Sequence, residues 1–222
     1  MRKIQLFLLV SSFSLLAFAC SNSIIEKNNS DSVGKDNIET VVTHGNYKEF
    51  DKENNLFDDA DLVVIATTDS KFVDREHVVK YADPDTAGAD LPQAIEDFYT
   101  KTPIKVLKVL KSPASATITE NKEMKIIEPV SLIEEDAKSK KISIENYNEI
   151  KQGEKYVLYL KQNTYGDYSV INMNNGRFSL ESEEIIINSL DHGHENDIEK
   201  HNELKQSVEE RFKSEIEEVK DM

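Results

Sequence analysis

The chain has one cysteine and no tryptophan in 222 residues. A single thiol excludes an intrachain disulfide, so the core must hold by packing alone. Basic charge is also scarce: 27 Lys and Arg stand against 42 Asp and Glu, a formal net charge of −15. A surface this acidic repels nucleic acid and anionic headgroups, which excludes either as a partner gripped by a basic patch. There is no nucleophile elbow, no phosphate-cradling glycine loop and no Cys–His pair. No repeat of 20–50 residues occurs. The missing tryptophan, beside abundant Lys, Asn, Ile and Glu, fits an AT-rich coding bias more than a function.

The one cysteine, Cys20, ends the stretch Leu15-Leu16-Ala17-Phe18-Ala19-Cys20. Arg2 and Lys3 precede it, and Ile4 to Ala19 carries no charge, the pattern of a secretory signal peptide. That run falls short of the roughly 20 residues a membrane-spanning helix needs. Ala17-Phe18-Ala19 suits ordinary signal peptidase, and the same stretch resembles a bacterial lipobox, with Ala17 in place of the usual leucine. A free thiol directly after a cleavage site has little structural use, whereas a thioether-linked lipid accounts for both its position and its solitude. Two or three acyl chains make such an anchor stable. Cys20 is therefore read as a lipid attachment point, which places the protein at the extracytoplasmic face of a cell membrane. Loss of Arg2 and Lys3 takes the formal charge to −17.

The expected division is a signal peptide over 1–19, a lipidated tether over 20–44, a barrel over 45–190 and a charged helix over 191–222. Ser21 to Thr40 is polar and without period, the composition of a linker. Tyr47 to Ala60 has apolar residues at near-helical spacing, and Leu62 to Ala66 is a β-branched run that reads as a strand buried on both faces or in a barrel wall. Strands are expected at Ile104–Leu110, Thr117–Thr119, Met124–Ile127, Lys155–Lys161, Tyr168–Met173, Arg177–Leu180 and Ile185–Ile187. Ala82–Pro92 reads as a loop, and Ser131–Lys151 as irregular with a helical turn at Leu132–Ala137. Tyr165-Gly166-Asp167 marks one turn, and Asn174-Asn175-Gly176 marks another of hairpin type. Leu204, Val208, Phe212 and Ile216 recur every fourth residue, an apolar stripe that either lies on the barrel or faces a partner.

Three stretches, in order, resemble netrin-like domains, the group that includes the tissue inhibitors of metalloproteinases. They are Leu56–Thr68 (LFDDADLVVIATT), Ile104–Ser112 (IKVLKVLKS) and Gly153–Lys161 (GEKYVLYLK). The resemblance implies a mainly β chain: a small OB-like five-stranded barrel with flanking helices. The animal inhibitors chelate zinc through an exposed amino-terminal cysteine; here Cys20 is committed to lipid, so that chemistry carries over to no residue.

Two function classes remain. The first is a non-catalytic binding module for an extracellular protein or glycan, with Tyr156, Tyr159, Tyr165 and Tyr168 as candidate contacts, since tyrosine supplies contact area at low entropy cost. The second is a metal-dependent or hydrolytic enzyme using His192, His194 and His201, although their spacing matches no zinc pattern and Asp191 serves equally as a helix cap. Asp58, Asp59 and Asp61, and Asp83, Asp85 and Asp90, lack the glycine and glutamate of a calcium loop. Nothing assigns catalytic residues or implies a cofactor. The binding module is the expected function.

Overall fold

Two strands dictate the architecture: β2 (Leu62–Thr67) and β8 (Lys155–Gln162), which pair antiparallel. The computed structural model describes residues 38–83, 94–115, 117–135, 138–181 and 194–220. Leu62, Val64 and Ala66, with Tyr156, Leu158 and Leu160, point inward against Ile104, Val106, Ile126 and Val170. Val63, Ile65, Val157 and Tyr159 point outward against Leu56, Phe178 and the carboxy-terminal helices. Continuous apolar sequence is thus required because both faces of these strands are covered.

The other strands are β1 (Thr40–Thr43), β3 (Glu76–Tyr81), β4 (Ile95–Lys111), β5 (Glu123–Glu128), β6 (Val130–Glu135), β7 (Lys138–Ile144), β9 (Tyr168–Val170) and β10 (Arg177–Ser179). The helices are α1 (Glu53–Asp59), α2 (His194–Arg211) and α3 (Lys213–Val219). Strands β2, β4, β5, β9 and β8 close a five-stranded barrel, every pairing antiparallel except β5 with β9. Numbered within the barrel, that order is 1-2-3-5-4-1, which is OB-like. Register shifts at Val63/Val64 and Ile65/Ala66 curl β2 enough to meet both neighbours. The 17-residue β4 serves three partners: β3 and β5 along its first part, β2 along its second. A separate sheet, β1-β7-β6, has β1 parallel to β7.

Several expectations change. Thr40–Thr43, expected within the tether, forms β1. Val130–Glu135 and Lys138–Ile144 pair antiparallel as β6 and β7 in place of an irregular stretch with a helical turn, with Glu134, Glu135 and Lys138 exposed. Thr117–Thr119 is not a strand. The Asn-Gly signal makes no hairpin either. Strands β9 and β10 both run antiparallel to β8, and Met173–Gly176 is a 3-10 turn that bulges out between them. Asn172 fastens this bulge: its amide exchanges hydrogen bonds of 3.0 and 3.1 Å with the Phe50 backbone. A Cβ on Gly176 would lie 1.6 Å from the Ile171 carbonyl oxygen, so only glycine fits. Ile185–Ile187 lies outside the described residues.

The helical stripe lies on the barrel. Leu204, Val208, Phe212, Ile216 and Val219 are buried in the cluster that holds Val63, Ile65 and Tyr159. Among the described residues, no helix is long and apolar enough to cross a membrane.

Candidate binding groove

A hairpin arm and a turn make the site. In the arm, β3 and β4 place Lys80 opposite Asp97 and Val78 opposite Tyr99. Asp97 and Tyr99, two apart on a strand, share a face. Lys80 Nζ lies 3.0 Å from Asp97 and 5.6 Å from the Tyr99 ring centroid. The bond to Asp97 and its charge hold the Lys80 ammonium above the ordinary lysine range, with Tyr99 and Tyr165 adding to the effect.

The turn between β8 and β9 is fixed by its own polar groups. Asn163 Oδ1 accepts from the backbone of Tyr165 at 2.9 Å and of Asp167 at 3.0 Å, while Asn163 N donates to the Asp167 carbonyl at 2.8 Å. Gly166 takes φ +92, a conformation that favours glycine. The result is a rigid knuckle carrying Tyr165 at 89% exposure. Between arm and knuckle runs a groove of about 440 Å³, lined also by Ile127, Pro129, Ile144 and Ser169. That volume suits a small ligand or a partner side chain.

Glu128, which follows Ile127 on β5, forms a fully buried ion pair with Arg75 at 3.0 Å. Glu128 also accepts from Tyr147 Oη at 2.9 Å, Ile150 N at 2.8 Å and the Thr102 hydroxyl. Arg75 donates to the carbonyls of Ser70 at 2.9 Å and Ile150 at 2.7 Å. Both carboxylate oxygens are spoken for and neither side chain reaches solvent, so the pair ties β5 to the turn before β3 and is not an acid or base for a substrate. Burial, then the Glu128 charge, pushes the Tyr147 phenol well up, so it stays a donor.

The tyrosines separate. Tyr156 and Tyr159 are fully buried and Tyr168 nearly so, which removes all three as ligand contacts. Tyr156 donates to Glu154 at 2.7 Å and Tyr159 to Glu53 at 2.9 Å. Alternation on a doubly covered strand leaves no wet side, and this the aromatic composition concealed. Only Tyr165 stands in the groove. Asp97 and Tyr99 precede the expected strand at Ile104–Leu110, and Lys80 meets Asp97 only through the β3–β4 pairing; the spacing Asp97-Tyr99-Lys101 is the available signal.

Cys20, Asp191, His192, Asp85 and Asp90 lie outside the described residues, and His194 opens α2. His201 stacks on Phe178 at 5.3 Å, its Nδ1 2.9 Å from Asn175 Oδ1, which places it in the packing of α2. Asp59 binds Lys48 at 2.7 Å and Lys161 at 2.9 Å, and those bonds hold its carboxyl below the usual range. Asp61 accepts from Gln162 N at 3.0 Å. Among the described residues, no three His, Cys, Asp or Glu side chains are grouped to share an ion. A wider depression of about 690 Å³ between α1 and α2 offers no aromatic surface, and its Arg211 is bound to Glu53 at 2.7 Å.

Protein-family models, curated proteins and solved structures give no match to this chain.

Proposed function

We propose that the protein is a lipid-anchored, extracytoplasmic binding module, without catalysis of its own, whose contact surface is the groove between the β3–β4 arm and the Tyr165 turn. The observation that carries this reading is Tyr165: a large aromatic side chain held almost wholly in solvent by a hydrogen-bonded turn, lining a groove together with Tyr99. Such a ring exposes apolar area that a partner can cover at little entropy cost. The netrin-like resemblance belongs to the same proposal, and the OB-like strand order is what it requires. The Cys20 anchor rests on the sequence around it.

A photo-crosslinking residue at position 165, on intact cells, should capture a partner that the same residue at Glu209, on the exposed face of α2, does not. Equal capture at both positions refutes the groove. Labelling with fatty acid should be lost in Cys20→Ala together with membrane retention; a labelled, membrane-bound variant refutes the anchor.

A further inference from the structure

The groove presents the same pair of groups twice. Asp97 and Tyr99 sit two residues apart on β4, and Tyr165 and Asp167 sit two apart on the turn. The first pair already holds an ammonium, that of Lys80, against its carboxylate and beside its ring. The second pair has an exposed ring and an exposed carboxylate, and Asp167 is tied into the turn through its backbone N–H and C=O. Lys80 thus shows on this surface what a carboxylate beside an aromatic ring can receive: an alkyl-ammonium, attracted by the charge and by the face of the ring.

We propose that the Tyr165–Asp167 pair receives the ammonium of a lysine side chain on a protein partner. This rests on the binding-module reading and gives its ligand a chemistry. Charge favours it at long range, because a chain carrying −17 after signal removal draws cationic partners and slows anionic ones. An open groove, beside a turn that stands out from the barrel, suits a side chain delivered from a protein surface better than a small molecule needing enclosure.

The test is calorimetric titration of the mature chain with end-capped pentalysine, its Nε-acetylated counterpart and spermidine, at low and physiological salt. Tyr165→Ala and Asp167→Asn should each weaken pentalysine binding by about three- to fivefold. Glu209→Gln, which removes equal charge from the exposed face of α2, should leave affinity within about twofold. The acetylated peptide should not bind, and spermidine should bind more weakly than the peptide. Equal losses in Asp167→Asn and Glu209→Gln would mean diffuse acidic attraction and no site. Binding of the acetylated peptide would show that the ammonium is not what is read. Spermidine binding as tightly as the peptide would make the ligand a free polyamine. If crosslinking at position 165 captures a partner while pentalysine fails to bind, the binding module stands and the lysine proposal falls.

Discussion

His77 joins the two sheets through its side chain. Its Nε2 lies 2.9 Å from the Phe72 carbonyl and must donate, while its Nδ1 accepts from Leu132 N–H at 3.2 Å. Only a neutral ring does both. Burial lowers its pKa, Arg75 adds to this, and the Phe72 carbonyl and Glu149 oppose it; the net direction is below the ordinary 6.5. The unfolded chain therefore binds more protons than the folded one, so stability falls as pH drops from about 6.5 toward the folded value. Melting temperatures followed from pH 8 to 5 should decline in that window, and His77→Gln should flatten the decline. An unchanged slope would assign it elsewhere. Glu149 does not confuse the reading. Burial pushes its carboxyl up, but the Lys141 ion pair overcomes this and holds it low, so its contribution is lost only at more acid pH. Arg75 carries the second prediction at this scale. Arg75→Met leaves the Glu128 charge buried and unpaired and should cost about 3–5 kcal/mol in urea denaturation, more than the double variant Arg75→Met/Glu128→Gln.

Elements were legible where one periodicity ruled and obscure where polar residues lay on edges. The doubly buried β2 and β8 were clear because continuous apolar runs bounded by turns have few other uses. The β6–β7 hairpin was not, because only Val130, Ser131, Ile142 and Ser143 of it are buried and its outer residues are charged. The Asn-Gly turn misled for a different reason: its local signal was overridden by β8, which is long enough to pair β9 and β10 in succession. In the groove, Tyr165 was readable as a turn residue, but its partners Lys80 and Asp97 meet through a strand pairing that no local pattern announces. The carboxy-terminal stripe was readable as amphipathic, and the fold decides its use. Phe212 is 5% exposed, its ring 6.0 Å from that of Phe57, so Phe212→Ala should lower stability by about 3–5 kcal/mol. Thermal unfolding of the monomer checks this; a melting temperature that stays put would free the helix for a partner.

At the scale of the molecule, what matters is where the fold begins. Composition put the start of the domain near residue 45, because the polar stretch that precedes it has too little apolar content to order itself. It is ordered from outside. Thr40–Thr43 pairs residue for residue with Lys141–Ile144, Glu145 accepts from Gly45 N at 3.1 Å, and the Ile144 side chain lies where a Cβ on Gly45 would be. The edge of β7, in the sheet beside the barrel, thus recruits a strand that the strand's own sequence does not specify. Removing it would uncover the β7 edge, with its row of unpaired backbone groups, beside a buried Ile142. A chain beginning at Asn37 should therefore melt like the full mature chain and elute as a single species. A chain beginning at Tyr47 should melt lower by about 1–3 kcal/mol of lost pairing and self-associate through β7 as concentration rises. Size-exclusion chromatography across a concentration series distinguishes the two. Identical melting and elution from both starts would mean that β1 is a passive end of the linker, and that the domain begins where composition placed it.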